Sequence, residues 1–153
     1  MKGGIKTIVV FDMDNTLVDE LGSKVRPGML DLLTRLNEDG HTLILWTSSK
    51  RQRAQTILHF HRLDSFFTNF VYREDYDPKE EWVRKDIRMV NGDVLIDDDP
   101  NEIDFTIGIN KAGFLISAFR QGKNPPLEEL EEIYRFIRKK SGFFGKLWGS
   151  FRK

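Results

Sequence analysis

The sequence predicts an α/β fold: a three-layer, doubly wound, mostly parallel sheet with helices on both faces. Short apolar segments rich in β-branched residues alternate with segments of helical periodicity, which is typical of βαβ units. Three of the apolar segments end abruptly in polar residues, as strands do at the ligand-binding edge of such a sheet. The length of 153 residues corresponds to one domain of ordinary size.

Five segments predict strands. The first, second and fourth are apolar throughout, which is typical of strands buried on both faces of a parallel sheet. The fifth is weaker, because it begins with a glycine. In chain order they are residues 7–11, 42–47, 69–72, 94–96 and 113–116.

Four segments predict helices between and after these strands. The first begins near Pro27, whose missing N–H suits a first helical turn, and a glycine ends it. The second follows Ser48 and Ser49, which are typical N-cap residues. The last carries apolar residues on one face. The helical segments are residues 27–38, 50–60, 78–87 and 127–140.

Composition excludes several classes of protein. Lys and Arg number 24 and Asp and Glu number 24, so the basic excess of a general nucleic-acid binder is missing, and we expect no sequence-specific nucleic-acid binding. The chain has no cysteine, which rules out disulfides, thiolate nucleophiles and cysteine-ligated metals. Without a signal-peptide pattern or a long apolar run, the expected location is the cytoplasm.

Polar side chains are concentrated where three predicted strands end. The carboxyl ends of parallel strands meet at one edge, so we expect these side chains to form one pocket. Several carboxylates in one crevice repel each other unless a cation lies among them, and all-oxygen ligands favour a hard ion such as Mg²⁺. The residues expected there are Asp12, Asp14, Thr47, Asp97 and Asp98.

This pocket has the groups that phosphoryl transfer needs. Asp12 and Asp14 are two residues apart, so one can attack phosphorus and form an aspartyl-phosphate while the other moves protons. The hydroxyl of Thr47 can donate to a phosphate oxygen, and a lysine can neutralise developing charge. Taken alone, an Asp at a strand end is more simply a turn or helix N-cap residue, which is how we interpret Asp99 before Pro100. Three such clusters together favour a site.

The motifs resemble those of the haloacid dehalogenase (HAD) superfamily of phosphatases. Residues 12–16, Asp-Met-Asp-Asn-Thr, are similar to its DxDxT signature, residues 43–47 to its second motif and residues 94–98 to its fourth. Segments 26–28, 71–74 and 85–87 also resemble the branch that contains the phosphatases of the RNA-polymerase C-terminal domain.

The resemblance implies a role for each matching residue. Asp12 would be the nucleophile and Asp14 the acid and base, with Thr16 steadying their loop. The catalytic lysine would be Lys85, although Lys79 stays an alternative because Lys85 lies only 12 residues before Asp97. The implied Mg²⁺ ligands are Asp12, Asp14 (through its carbonyl) and Asp98, with Asp97 beside them. The implied phosphate-binding residues are Asp12, Met13, Asp14, Thr47, Ser48 and Lys85.

Two other functions are weighed against a phosphatase. A response-regulator receiver also has an acidic pocket with a Thr or Ser and a Lys, but there the acidic pair comes first in the chain and the lysine last. The alternative kept is a catalytically weak HAD-fold module that binds a phospho-ligand or a partner protein. Turnover of an aryl phosphate would separate that module from an enzyme.

Substrate size and the C-terminus complete the expectations. Residues 16–27 have room for a flap only, and residues 47–85 are filled by predicted elements, so we expect no cap domain and an open site suited to a phosphorylated macromolecule. The phosphatase domain should span residues 1–140. The tail, residues 141–153, is basic and aromatic, with Trp148 on a possible apolar helix face. It would contact an anionic membrane surface or a partner protein, or else pack on its own domain.

Overall fold

A computed structural model describes the backbone of residues 6–151 and the side chains of residues 6–141. It contains a five-stranded sheet in the order β3-β2-β1-β4-β5, in which every neighbouring pair is parallel. This confirms the predicted fold class. The strands are β1 (Ile8–Phe11), β2 (Thr42–Trp46), β3 (Asn69–Val71), β4 (Val94–Asp97) and β5 (Ala112–Leu115).

Helices lie on both faces of this sheet, as predicted. The α-helices are α1 (Met29–Glu38), α2 (Arg51–Phe60), α3 (Arg73–Tyr76), α4 (Pro100–Gly108) and α5 (Glu128–Phe151), and two 3₁₀ turns span Asp64–Phe66 and Ile87–Val90. None of the helices in the described part of the chain is long and apolar enough to cross a bilayer.

Alternation along β1 builds the core on both faces. Val9 and Phe11 are fully buried in the larger cluster, which also contains residues of α1 and α5. Val10 points the other way, into a smaller cluster with Trp46 and Ile103 of α4. A strand buried on both faces has to be apolar at every position, which is why the continuous apolar runs predicted the central strands well.

Strand register brings the predicted site together. Phe11 of β1 lies level with Leu45 of β2 and Ile96 of β4, so the three strands end within one residue of each other. The chain order reverses between β1 and β4, because β2 and β3 extend the sheet on one side and β4 and β5 on the other. The crevice at such a reversal is where ligands bind in open α/β sheets.

The predicted helix over residues 78–87 is wrong. The segment is an irregular loop that ends in the 3₁₀ turn at Ile87. The Asp77 carboxylate accepts the amide of Glu81, and both Glu80 and Trp82 have positive φ, which interrupts any helix. Trp82 is 82% exposed and Val83 is exposed as well, so Ile87 is the one apolar residue of this segment that packs in the core, which is too little for an amphipathic helix.

The capping of α2 also differs from the prediction. Lys50 occupies the N-cap position and makes no side-chain capping bond, so Ser48 and Ser49 are not the cap. Instead the carboxylate of Glu74, from α3, accepts the amide of Arg51 at 2.9 Å. A group 23 residues away therefore satisfies the free N–H that local sequence was expected to satisfy.

The connection between β1 and α1 is a small flap. Val18 forms isolated β-bridges with Asp14 and with Val25, and the flap ends at Gly28, the N-cap residue of α1. Within residues 6–151, no separate domain covers the carboxyl edge of the sheet. The expectation of a fold without a cap is therefore met in the part of the chain that the structure describes.

The last helix extends past the predicted end of the domain. It was expected to stop at Lys140, whereas the backbone of α5 is helical to Phe151. Ser141 is the last residue with a described side chain, and it is buried against Thr7. The predicted apolar face of the tail, with Trp148, lies outside the described side chains.

Candidate active site

Asp12 lies at the bottom of the crevice. It is the first residue after β1, and its amide donates to the carbonyl of Ile96 in β4 at 3.0 Å, which ties it to the neighbouring strand. The residue is only 6% exposed. A carboxylate this deeply buried needs partners, because removing a charge from water costs far more than burying an apolar group.

Lys85 is the cationic partner of Asp12. Its Nζ lies 2.9 Å from Oδ1 of Asp12 and 2.7 Å from Oδ2 of Asp97, and the residue is 3% exposed. Lys79, the other candidate lysine, is exposed on the preceding loop. The structure therefore brings Lys85 into the predicted site and leaves Lys79 outside it.

Helix α4 holds the lysine loop in place. Glu102 is buried, and its Oε1 accepts the amide of Lys85 at 2.9 Å. The carboxylate of Asp99 accepts the amide of Asn101, so Asp99 is the N-cap of α4, as its position before Pro100 suggested. The sequence analysis did not identify α4 or Glu102, although an Asp-Pro pair is a recognised signal for a helix start.

Burial and like charge raise the pKa values of the acids in the crevice. Burial raises the pKa of Asp12 to about 6, although Lys85 opposes the shift. Burial and the charge of Asp12 also raise the pKa of Asp97 to about 6. The pKa of Asp98 is raised as well, mainly by burial. Burial alone would lower the pKa of Lys85, but Asp12 and Asp97 outweigh it and raise that pKa well above its usual value.

Three carboxylates form a set that could hold a metal ion. One oxygen each from Asp12, Asp97 and Asp98 lies within 4.8 Å of the others. The hydroxyl of Thr16 donates to Oδ2 of Asp12 at 3.0 Å and so braces the nucleophile candidate. Asp97 thus joins the cluster, a question that the sequence left open, whereas the side chain of Asp14 is not part of it.

The side chain of Asp14 instead pairs with Arg53 of α2. The two Nη atoms lie 2.9 and 3.0 Å from the two carboxylate oxygens, which makes a bidentate ion pair. The side chains are 26% exposed for Asp14 and 42% for Arg53. No motif in the sequence points to Arg53, because its partner lies 39 residues away.

Of the remaining predicted phosphate ligands, Thr47 and Met13 are buried and Ser48 is exposed. Thr47 is buried, and its hydroxyl oxygen accepts the amide of Ser49 at 3.0 Å, while Ser48 is exposed beside it. The side chain of Met13 is in the core, and its carbonyl accepts the amide of Leu17. Of these residues, Ser48 lines the crevice together with Asp12 and Asp14. The crevice has a volume of about 380 Å³.

Arg26 fixes the loop that carries the acids. It is buried, and its guanidinium donates to the carbonyls of Asn15 and Thr16 at 2.9 and 2.7 Å and to that of Ser117. Its charge faces Glu129 of α5 at 3.9 Å. The side chain of Arg26 therefore connects the loop to Ser117, after β5, and to Glu129 of α5.

Replacing Arg26 should destabilise the domain. Arg26→Met keeps most of the volume but leaves buried carbonyls without donors, so we expect a loss of about 2–3 kcal/mol in the free energy of unfolding. Urea denaturation measures it. Arg120→Met is the control, because that arginine is about half exposed and makes only a 3.9 Å ion pair. Equal stability of the two variants would contradict the role given to Arg26.

Comparisons with known proteins show the family and the fold of the chain. The family model described as NLI interacting factor-like phosphatase matches residues 7–145. No curated protein matches the chain in sequence. A HAD-superfamily hydrolase from Ehrlichia chaffeensis is similar in structure, with a TM-score of 0.59, 15% identity, and coverage of 87% of this chain and 97% of that one. A haloacid dehalogenase-like hydrolase from Streptococcus pneumoniae has a TM-score of 0.59, 14% identity, and coverage of 76% and 88%.

The two structural neighbours show the fold, and the family match identifies the group of proteins. That match covers the whole sheet and every predicted motif, including the three short segments that resembled the C-terminal-domain phosphatases. The family match confirms the resemblance to the phosphatase branch, and the structural neighbours confirm the HAD fold. The chain belongs to the NLI interacting factor-like phosphatases, on the fold of the haloacid dehalogenase superfamily.

Proposed function

We propose that this protein is a Mg²⁺-dependent phosphomonoester hydrolase that acts through an aspartyl-phosphate on Asp12. The observation that carries the proposal is the environment of Asp12. It is a buried carboxylate at a strand end, paired with Lys85 and adjacent to Asp98 and Thr16. A purely structural ion pair between Asp12 and Lys85 would not need two more carboxylates, Asp97 and Asp98, at the same open edge.

The donor set fits Mg²⁺. Carboxylate oxygens of Asp12, Asp97 and Asp98 are hard ligands, and no His or Cys is among them. Asp12 and Asp98 would hold the ion, with the carbonyl of Asp14 as a further ligand. Asp97 is engaged by Lys85 and by the amide of Asp99. When bound, Mg²⁺ would neutralise charge on the phosphate and orient it.

The residues of the chain would divide the chemistry between them. An oxygen of Asp12 forms a bond to phosphorus while the bond to the leaving oxygen breaks, and Asp14 gives that oxygen its proton. Asp14 then takes a proton from water as the water attacks the aspartyl-phosphate, which releases phosphate and restores Asp12. Lys85, Thr47 and Ser48 donate hydrogen bonds to the phosphoryl oxygens.

An open crevice supports a large substrate. No part of residues 6–151 forms a lid over Asp12, and the flap between β1 and α1 only borders the site. A phosphate carried on a protein segment can therefore reach Asp12 without a domain closing over it. The phosphorylated substrate that we propose is accordingly macromolecular.

Metal binding should be visible as a pH-dependent stabilisation. The pKa of Asp12 and of Asp97 is about 6 in the folded protein. The folded state without metal therefore binds protons more tightly than the unfolded chain and loses stability as pH rises from about 4 to 6. Mg²⁺ needs its ligand Asp12 ionised, so it should raise the melting temperature by several degrees at about pH 7.5 and much less at about pH 5.

Calorimetry with and without Mg²⁺ at the two pH values measures this effect. Asp98→Asn removes one ligand and should reduce the stabilisation at the higher pH. The same shift at both pH values, or in both proteins, would contradict the proposed site.

The test of the proposed function is a phosphatase screen over aryl phosphate, phosphopeptides, nucleotides and sugar phosphates. We expect turnover with Mg²⁺ and none with EDTA. One observation favours the alternative of a weak, ligand-binding module: both oxygens of Asp14 are occupied by Arg53. Binding of phosphopeptides without turnover of any substrate would support that module and contradict the enzyme.

A further inference from the structure

Arg53 separates two cavities. Its partner Asp14 lines the crevice that contains Asp12. Arg53 itself lines a neighbouring cavity of about 500 Å³, together with Lys50, Leu21 and Ile57. Because Arg53 pairs with Asp14, the two cavities adjoin at this ion pair.

The guanidinium has no free Nη proton. One Nη donates to Asp14 and to the hydroxyl of Ser49, and the other donates to Asp14 and to the carbonyl of Glu20. An incoming anion can bind through this fork only by replacing one of these partners. Asp14 is the partner that has to be released, because its oxygens must handle a proton in the proposed reaction.

The pair with Asp14 is suited to such an exchange. Both side chains are partly exposed, and exposed ion pairs contribute little to stability. Asp14 also accepts from both Nη atoms of Arg53, and a carboxylate or phosphate of a substrate could accept from the same two atoms. A substrate anion would therefore find a site of matching shape and charge.

The second cavity carries two cationic side chains, Lys50 and Arg53, against one carboxylate, Glu74, which already accepts the amide of Arg51. Lys50 is exposed and makes no ion pair with the residues whose side chains are described. Leu21 is 63% exposed beside it and supplies apolar contact. A nucleic acid fits less well, because its phosphate backbone needs a basic surface and the formal net charge of this protein is zero.

We propose that Arg53 is a specificity residue that recognises a second anionic group, close to the phosphorylated residue of a peptide substrate, and exchanges Asp14 for it. This inference rests on the proposed function. Substrates with a neighbouring acidic side chain or second phosphate would release Asp14 for its work as acid and base. Substrates without one would leave Asp14 paired and react slowly.

The experiment compares phosphoserine peptides with an alanine background. One set carries an aspartate at each of the neighbouring positions in turn, one set carries a second phosphoserine, and a 5′-phosphorylated dinucleotide is a separate arm. We expect the best acidic peptide to exceed the neutral peptide about tenfold in kcat/KM. The aspartate and phosphoserine sets show which anion is preferred.

Two variants test whether Arg53 causes the preference for acidic peptides. Arg53→Gln should reduce the ratio between acidic and neutral peptides to near one. Arg51→Gln should keep the wild-type ratio, because Arg51 lies on the same helix but pairs with Asp75. An unchanged ratio in Arg53→Gln, or preference for the dinucleotide that depends on Arg53, would overturn the proposal.

Binding keeps the two proposals distinguishable. Peptides with a non-hydrolysable phosphonate in place of phosphoserine are titrated in parallel by fluorescence anisotropy. If no peptide is hydrolysed, the proposed function fails, yet tighter binding of acidic peptides that depends on Arg53 would still support this inference. If all peptides are hydrolysed and bound alike, the inference fails and the phosphatase stands.

Discussion

Replacing Asp12 by asparagine is expected to lower Mg²⁺-dependent turnover of an aryl phosphate about a thousandfold or more, as loss of a nucleophile does in other enzymes. Asparagine has the size of Asp12 but no anionic oxygen to attack phosphorus. The fold should survive, because Lys85 keeps its 2.7 Å contact with Asp97. The measurement is kcat/KM together with the melting temperature.

The control for this variant is Asp104→Asn, the same substitution on an exposed position of α4. It should leave turnover and melting temperature unchanged. Wild-type kinetics in Asp12→Asn would show that another group attacks the substrate. Loss of turnover together with unfolding would show only that Asp12 is structural.

Removing Lys85 is expected to cost both stability and activity. Lys85→Met leaves Asp12 and Asp97 buried and adjacent without their cation, and breaking a buried pair in this way costs about 3–5 kcal/mol. The pKa of each acid is about 6 beside Lys85 and rises further when that cation is removed, so the loss should be largest well above about pH 6 and should shrink at lower pH as protonation neutralises the two acids. Lys85→Met should also show no measurable turnover.

Urea denaturation above and below that pKa measures the effect of Lys85→Met. Lys79→Met is the matched control, since Lys79 is exposed on the same loop and should tolerate the change at either pH. If Lys79→Met abolished turnover and Lys85→Met did not, the assignment of the catalytic lysine would be reversed.

The central strands and the position of the acids were predictable from the sequence. Strands buried on both faces require unbroken apolar runs, and Asp12 and Asp97 mark where two of those runs end. Chain order and parallel pairing then place these acids at one edge of the sheet. This reasoning uses only local pattern and topology, which is why it succeeded.

The loop before Lys85 and the partners of the acids were not predictable in this way. Residues 78–87 contain helix-forming residues, but the local bond from Glu81 to Asp77 and the tertiary bond from Lys85 to Glu102 hold another conformation. Arg53 and Asp14 are 39 residues apart in sequence. Nothing local in a charged helix face identifies which of its arginines will find a partner that far away.

In the mechanism that we propose, Asp12 carries the phosphoryl group during turnover. The most direct test uses Asp14→Asn, which should slow hydrolysis of the aspartyl-phosphate. The variant is mixed with aryl phosphate and Mg²⁺, and the reaction is quenched in acid. The protein is then analysed by peptide mass spectrometry. We expect an added mass of one phosphoryl group on the peptide containing Asp12, and none without Mg²⁺. Turnover by the wild-type protein without any phosphoryl adduct on Asp12, in either protein, would contradict this mechanism.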